Sequence, residues 1–575
     1  MKALVVFGAL SLAVVLSGCA KAKAGPPPLR VAYNYCTLSY TFAYFSDADW
    51  EREIDRLAAA GYNVALVIDG TFKVWQEVLR ELGYGDDAIA AFIPDECARA
   101  WWLMANLTGE GGPIDQATID EDAARGRFIC EKMREKGIEP ILQGYVGMMP
   151  LGHPGAMAQG KWGPYERPPI LDPTGAEYRK VAEVWHRKLE EVYGIRPRYL
   201  AGDLFHEGGK TEGVDVTAAT RAVQAAQQAA FPGVTWVVQA WQNNPTREVR
   251  AGLDPRHTLI EALVKDMSAF DKDDSVCNLE FGELPWIWCE VLNFGGNHGL
   301  YGNLKTFARM GRAAKGAGAA TFRGYGSLSE GFFTNPVCYD LFEEMMMRPV
   351  GSELSDDELA AWLDSWVDKR YGVSDESLKE AWRLLAGTVY ACPRCQEGTV
   401  ENVICARPAW NVANVSAWGP VNGPWYDLAK LKKALDLFDT RCAACAFDPG
   451  SRALLRDRTD LARQIYADEL RAILPRTKDE AYARRLFLAT AGTLCETLFE
   501  SRVEDFMLSA FENRARSRAG ERGAKAWLRM VTTWANPALG DTALEDYANR
   551  EYAELIRDCY IPRWKKFFEN GEPGI

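Results

Sequence analysis

The sequence predicts an α/β protein: a TIM-like (β/α)8 barrel followed by an all-α C-terminal domain. Three observations carry that expectation. Between residue 30 and about residue 330, short continuous apolar runs alternate with amphipathic helical patterns, as parallel strands buried on both faces require. Beyond about residue 350 the strand signal stops and long helical patterns take over. No strand-to-helix turn carries a glycine fingerprint for a dinucleotide or a P-loop phosphate. A doubly wound open sheet is the alternative arrangement of the same alternation.

The chain opens on a secretory pattern. Met1-Lys2 is a basic start, and residues 3–16 form an apolar run shorter than the about 20 residues that span a bilayer. Leu16-Ser17-Gly18-Cys19 then reads as a lipoprotein signal cleaved before Cys19, with a chance LSGC in an ordinary secretory signal as the alternative. Residues 1–18 are expected as signal peptide and 19–29 as a tether stiffened by Pro26-Pro27-Pro28. The mature chain is therefore expected outside the cytoplasm, lipid-anchored through Cys19. Ala20 lacks the aspartate associated with inner-membrane retention, which favours the outer membrane.

The barrel is expected over 30–348. Its first strand is read at Val31–Cys36. Ser46 or Asp47 caps a helix carrying Trp50, Ile54, Leu57 and Ala58, which Gly61 ends. Val64–Ile68 is the second strand. A helix with Phe128, Ile129 and Met133 stops at Gly137 before a strand at Pro140–Leu142, and one with Val181, Val184, Trp185 and Leu189 stops at Gly194 before Tyr199–Ala201. Trp236–Trp241, Val276–Phe281, Trp286–Leu292 and Thr321–Tyr325 complete eight strands. The helical domain is expected over 349–575, with helices at Asp356–Tyr371, Tyr426–Phe447, Arg452–Ile473, Asp479–Phe511 and Ala543–Ile556. The segment Pro393–Pro424, rich in Pro, Asn and Trp, is expected to fold back on the barrel.

Composition excludes several functions. A net charge of −13 without basic runs disfavours nucleic acid, whose binding rests on phosphate neutralisation. The pairs Cys392/Cys395 and Cys442/Cys445 lie far apart, and the second sits in a helical pattern, unlike knuckle-type zinc sites on tight turns. A local disulfide near Cys392, Cys395 and Cys405, or buried free thiols, is expected. His153, His186, His206, His257 and His298 show neither HxH nor HExxH spacing, so no metal and no cofactor is expected. Nineteen tryptophans supply flat apolar faces suited to cores and sugar rings.

Barrel chemistry sits at the C-terminal strand ends. The acids expected there are Asp69, Asp203, Glu207, Glu280, Glu283 and Glu330. Glu207 in Gly202–Gly209 and Glu330 in Gly324–Gly331 stand among small residues that would let a bulky substrate approach. A helix cap or loop salt bridge is the alternative for each acid alone. Two carboxylates on one rim among tryptophans suit glycoside hydrolysis, one as acid/base and one as nucleophile or base.

At these residues the chain resembles the α-N-acetylglucosaminidases of glycoside hydrolase family 89. The resemblance lies in Asn34-Tyr35-Cys36-Thr37-Leu38-Ser39-Tyr40, Trp50–Asp55, Gln239-Ala240-Trp241, Trp286-Ile287-Trp288-Cys289, Asn293–Gly299 and Tyr560–Trp564, and covers roughly residues 30 to 565. It implies a metal-free retaining mechanism on terminal α-linked N-acetylglucosamine, and hence a glycan as partner. The family's Phe-Asn-Glu motif matches Phe205-His206-Glu207, giving Glu207 the acid/base role; its Pro-Glu-Gly motif matches Ser329-Glu330-Gly331, giving Glu330 the nucleophile. The sugar pocket is implied to include Asn34, Cys36, Tyr40, Trp101, Met104, His206 and Trp241, with plain core as the alternative for Cys36. Asn297-His298 is expected to shape its loop without touching sugar.

The chain also departs from the family. The barrel is expected to start directly after the proline tether, without the family's N-terminal domain. His206 replaces an Asn that contacts the sugar's position-2 group in similar barrels. The family's Asn-Leu-His-x-Trp-Asp-Gly-Pro loop becomes Asn106–Pro113 without its His, Trp and Asp, the stretch from Glu283 to Trp286 is short, and Glu290 stands where an apolar residue is usual. Two alternatives follow: a retaining hydrolase of another α-glycoside, or an inactive glycan-binding lipoprotein.

Overall fold

The computed structural model describes residues 27–570 apart from 164, 242, 264–280, 316–317, 333, 394–398, 414, 416–422, 445–448, 475–479 and 533–549. The expected signal peptide, Cys19 and most of the tether lie outside the described residues.

Eight parallel strands close into a barrel: β1 (Leu29–Ala32), β2 (Val64–Leu66), β3 (Glu139–Gln143), β4 (Tyr199–Ala201), β5 (Thr235–Ala240), β6 (Thr258–Leu263), β7 (Trp286–Glu290) and β8 (Phe322–Ser327). Each pairs with its sequence neighbours, and Leu29–Ala32 of β1 pairs with Gly324–Ser327 of β8. That pairing excludes the open sheet. It also requires glycine at 324, where φ is +149° and a Cβ would stand 1.9 Å from the Leu29 carbonyl oxygen.

Two strand expectations are corrected. The sixth strand is Thr258–Leu263, not Val276–Phe281; residues 276–280 lie outside the described residues, and Phe281 is irregular. Glu261 interrupts the apolar run at 258–263 and hides it. Alternation places Glu261 on the same side as Leu263, which lines the cavity described below. Burial, and then the Asp203 charge, push its carboxyl up to about 8. A protonated acid is far less costly to bury than a carboxylate. The first strand ends at Ala32 rather than Cys36, because Asn34 caps a helix at Tyr35–Tyr40 in a reciprocal box with Thr37.

The flanking helices follow the sequence pattern. Ser46 caps the helix Asp47–Ala60 in a box with Asp49, Gly61 closes it in the left-handed region, and Trp50, Ile54 and Leu57 are buried. The helix Ala176–Tyr193 ends at Gly194 in the same way. It supplies Trp185, whose ring lies 4.7 Å from that of Trp75, itself 5.9 Å from Trp102. All three are buried, so these tryptophans fill the layer between helices rather than the rim.

The C-terminal half is helical: Asp356–Tyr371, Glu376–Ala386, Leu428–Ala444, Pro449–Ile473, Glu480–Ser501, Leu508–Thr532, which kinks at Ala519 and Gly520, and Ile561–Asn570. The single helix expected at Asp479–Phe511 is two. Arg502 turns at φ +53°, and Glu554 accepts from the Leu508 N–H at 2.8 Å to start the next helix. A cap from a residue so distant in sequence leaves no local signal. Of the helix expected at Ala543–Ile556, residues 543–549 lie outside the described residues and Ala553–Leu555 is helical. No described helix is long and apolar enough to cross a membrane.

Buried polar contacts join the two halves. Thr399, in the segment expected to fold back, donates to the Leu300 carbonyl at 3.1 Å, and Gln464 accepts from the Leu300 N–H at 3.0 Å. Arg463 pairs with Asp460 at 2.6 Å and Glu551 at 3.2 Å. Glu551 also accepts from Asn402 at 2.7 Å, and its N–H donates to His298 Nδ1 at 3.0 Å. Arg463→Ala would leave two buried carboxylates without their cation. We expect it to lower the unfolding free energy by about 3–5 kcal/mol in urea titration; a loss below about 1 kcal/mol would mean that water replaces the cation there.

Candidate active site

The C-terminal strand ends enclose a cavity of about 210 Å³. Of the residues singled out from the sequence, Asn34, Cys36, Trp101, Met104, His206, Glu207, Trp241 and Glu330 line it. Tyr40 is not among the lining residues; it is buried with its ring edge-on to Trp101 at 5.1 Å and the Arg550 guanidinium 4.8 Å over its face.

The β8 exit holds Glu330. Asn34, Thr37 and Thr41 recur at near-helical spacing and reach three successive carbonyls. Asn34 Nδ2 donates to Leu328 O at 2.7 Å, Thr37 Oγ1 to Ser329 O at 2.7 Å, and Thr41 Oγ1 to Glu330 O at 3.0 Å. The Glu330 N–H donates to Asn293 O at 2.8 Å, and its Oε2 accepts from the Gly295 N–H at 2.5 Å. A Cβ on Gly331 would stand 2.7 Å from Gly296 Cα. The small residue after Glu330 therefore lets the loop after β7 approach, rather than making room for substrate as its sequence setting suggested.

Glu290 ties the two exits together. It ends β7 and accepts from Ser327 Oγ at 2.5 Å, Ser329 Oγ at 2.8 Å and the Leu292 N–H at 2.6 Å. Burial pushes its pKa up, against the pull of those donors. The acid that looked out of place in an apolar position thus clamps the backbone beside Glu330.

The β4 exit holds Glu207 in a strained loop. Phe205 and Glu207 have φ of +57° and +43°, a conformation costing about 1–3 kcal/mol for a non-glycine residue. Arg167 holds it by donating to His206 O at 2.9 Å and Glu207 O at 2.7 Å. The Glu207 carboxylate accepts from Asn106 Nδ2 at 2.8 Å and Trp241 Nε1 at 3.1 Å. Ala105, just before Asn106, is also left-handed at φ +60°.

Beneath Glu207 lies a buried polar floor. Asp203 accepts from the Gln239 N–H at 3.0 Å, and Tyr35 donates to Gln143 at 2.5 Å. His206 Nδ1 stands 3.5 Å from Asp203 Oδ2, and its Nε2 stands 3.8 Å from Glu207 Oε2. Burial opposes a charged imidazole, but Asp203 and Glu207 outweigh it and raise the pKa.

Other acids of the sequence reading fall elsewhere. Asp69 pairs with Arg99 and Arg125, each at 3.5 Å, in a buried cluster with Asp122. Glu283 is exposed and precedes β7, which places it toward the N-terminal end of the barrel, and Glu280 lies outside the described residues. His298 accepts from Glu551 and meets Tyr552 edge-on at 4.8 Å. Sequence reasoning missed Trp162, Gln239 and Phe294 in the lining, and Asn106 and Arg167 behind it. Gln239 and Asn106 lay inside the quoted motifs, whereas Arg167 carried no signal. Among the described residues, no group of three or more His, Cys, Asp and Glu is placed to hold a metal ion. Cys395 and Cys445 lie outside the described residues, and the Cys405 thiol donates to Arg550 O at 3.7 Å.

Comparison with known proteins matches residues 30–349 to the Alpha-N-acetylglucosaminidase (NAGLU) tim-barrel domain and residues 362–572 to the C-terminal domain of the same family. Human alpha-N-acetylglucosaminidase is 30% identical over 577 residues, covering 95% of this chain and 75% of the human one. A family 89 glycoside hydrolase from Clostridium perfringens, solved with 2-acetamido-1,2-dideoxynojirmycin, superposes with a TM-score of 0.84 at 27% identity over 95% of this chain. Another structure of the Clostridium perfringens enzyme carries two glutamate-to-glutamine substitutions and holds its substrate GlcNAc-alpha-1,4-galactose; it superposes equally, with a TM-score of 0.84 at 27% identity over 95% of this chain. The chain spans 63% of the length of these bacterial relatives.

A raised histidine pKa means that the folded state binds the proton more tightly. The stabilisation from charged His206 is then complete below the unfolded value of 6.5 and is lost as pH rises through the folded value. We expect wild type to hold a margin over His206→Gln in urea at pH 6 that shrinks by pH 9. A margin independent of pH would show a neutral imidazole.

Proposed function

Because the chain belongs to the alpha-N-acetylglucosaminidase family of glycoside hydrolases, we propose that it removes terminal α-linked N-acetylglucosamine from glycans by a retaining, two-glutamate double displacement. The observation that carries this reading is that Glu207 and Glu330 line one cavity from the exits of β4 and β8, strands separated by three others on either side of the ring. A sugar ring between them would present its anomeric carbon to one acid and its glycosidic oxygen to the other.

Glu330 attacks the anomeric carbon as the Glu207 carboxylic acid gives its proton to the leaving oxygen. The carbon–oxygen bond breaks, the aglycone leaves as an alcohol, and the sugar stays esterified to Glu330. Water then attacks the same carbon while Glu207 takes its proton, releasing the sugar with its original configuration and restoring both groups. The Gly295 N–H stabilises the Glu330 carboxylate before attack and again as it departs in the second step. Asn106 and Trp241 hold the Glu207 carboxyl in a fixed orientation. Trp101, Met104 and Phe294 give the cavity apolar walls, and His206 brings a hydrogen-bond donor beside the acid.

The bacterial relative solved with its substrate carries two glutamate-to-glutamine substitutions, which is in keeping with a pair of glutamates acting in that protein. Glu207→Ala is expected to lower kcat about 10²–10⁴-fold on a natural disaccharide, and less on an aryl glycoside whose leaving group needs no proton. A fluorinated N-acetylglucosaminide should trap an ester on Glu330. A label on another residue, or a first-formed β-anomer from an α-glycoside by NMR, rules against the mechanism. Activity confined to α-glycosides without the 2-acetamido group rules against the sugar.

The enzyme works outside the cytoplasm, held to a membrane, with the outer membrane favoured, by a lipid on Cys19 of the Leu16–Cys19 signal. Membrane-fraction activity in cells should move to the soluble fraction on Cys19→Ser; activity staying with the membrane would mean another anchor.

A further inference from the structure

A groove of about 730 Å³ runs along the flank of the barrel, between the helices Ala176–Tyr193 and Val216–Ala230. Ala222, Ala225, Ala226, Ala229 and Ala230 form its floor, with Ala225 and Ala229 exposed. They recur every three or four residues, so the face turned to the groove carries nothing longer than a methyl group. His186 lines the groove from the other helix, buried and edge-on to Phe231 at 5.7 Å. Burial pushes its pKa down to about 4, against the pull of the Ala182 carbonyl one turn back, and neither ring nitrogen completes a hydrogen bond among the described residues. A buried polar group in that state, at the edge of an open groove, points to something that enters it.

We propose that the groove seats a second copy of this chain, packed about a two-fold axis through the middle of the helix Ala176–Tyr193. The charges along that helix select the occupant. Arg179, Lys180, Glu183, Arg187, Glu190 and Glu191 read plus, plus, minus, plus, minus, minus. A two-fold perpendicular to the helix at residue 185 lays the second copy antiparallel. It sets 179 against 191, 180 against 190 and 183 against 187. All three are opposite charges, and the symmetry makes each pair twice. The other two charges of the helix, Glu177 and Lys188, face Tyr193 and Ala182. A two-fold along the helix would instead set every charge against itself.

The charges are free to make that exchange. Arg179 and Glu183 stand one turn apart without pairing; among the described residues neither has an ionic partner, and Arg179 donates to the Thr174 carbonyl at 2.8 Å. The others hold exposed pairs: Lys180 with Glu177 at 3.7 Å, Arg187 with Glu191 at 3.1 Å and also with Glu81, Lys188 with Glu191 at 2.8 Å, and Glu190 with Arg196 at 3.3 Å. Exposed pairs contribute about 0–1 kcal/mol each, so partners in a second copy replace them at little cost. Arg221, the one charge on the alanine helix, donates to the Ala251 carbonyl at 3.3 Å. The alanine floor lets a facing helix come close, since the separation of packed helices follows the side chains between them. Both helices flank the barrel, so the pairing leaves the cavity at the strand ends uncovered.

Sedimentation velocity of the full chain in one detergent, from low to high micromolar concentration, reads the association. Wild type is expected to pass from monomer to dimer. Glu183→Arg and Arg187→Glu should each weaken the dimer about tenfold or more, because like charges then meet twice. Both changes in one chain remake every pair and should restore it. Mixing the two single variants should give a heterodimer, although neither associates with itself. Ala225→Trp, at an exposed position, fills the groove and should abolish association. Unchanged urea midpoints would show that these variants fold. All of them share the wild-type N-terminus, so association through micelles alone would persist in them and count against the groove. A chain monomeric throughout, which leaves the groove to another occupant, overturns the inference. So does a dimer indifferent to Ala225→Trp, or a double reversal that fails to restore association; the proposed function stands in each case.

Discussion

Three hydrogen bonds from one short helix to three successive carbonyls fix the geometry on which this site depends. Asn34, Thr37 and Thr41 hold the oxygens of Leu328, Ser329 and Glu330. They do so only because β1 closes the barrel against β8, which brings the first loop of the fold over the last. Barrel closure and placement of Glu330 are therefore one event. Carbonyls buried without donors would each cost about 1–3 kcal/mol, so the loop has a strong reason to stay where these side chains hold it. Glu290 reinforces the arrangement from the other neighbour, since its carboxylate bonds to the serines on either side of Leu328.

The opposite acid is held by another principle. Glu330 sits in a loop whose carbonyls are capped one by one, whereas Glu207 sits in a loop that bends through left-handed residues at 205 and 207. Such a bend persists only when its surroundings over-determine it. Here Arg167 grips two adjacent carbonyls while Asn106 and Trp241 grip the carboxylate. A rigid carboxyl loses little entropy when a substrate oxygen arrives, and that is how positioning contributes to rate. The strain beside Glu207 and the capped ladder beside Glu330 both fix where the two carboxyls stand at the cavity.

What could be read from the sequence follows from how local each determinant is. The helix at 47–60 announces itself through Ser46, Gly61 and the spacing of Trp50, Ile54 and Leu57, all within one segment. The helix at Asp356–Tyr371 is equally local, and its bounds match the expected ones. The strand at 258–263 was missed because Glu261 is polar in sequence, and only its surroundings raise its pKa enough to bury it as an acid. Glu207 and Glu330 were legible because acids flanked by glycine at strand exits are unusual. Arg167 was not, for its role lies in two carbonyls about forty residues further along the chain. Tyr40, which the resemblance implies in the sugar pocket, is buried edge-on to Trp101 and is not among the residues lining the cavity. A motif records that an aromatic is wanted, not which aromatic faces the cavity.

Tyr40 also shows what the helical domain does for the barrel. The Arg550 guanidinium lies over one face of its ring, and Trp101 meets that ring edge-on and then lines the cavity. The next residue, Glu551, uses its N–H to fix His298 in the loop that follows β7 and its carboxylate to hold Arg463. Burial and three arginines push the His298 pKa down, so the ring is neutral and its Nδ1 can accept that bond. Two consecutive residues of the second domain thus brace two separate walls of the cavity. Arg522 adds a third tie, to Glu96 at 2.7 and 2.9 Å. Loops on a barrel rim are ordinarily its most mobile part. Here side chains from the helical half pack and pair against them.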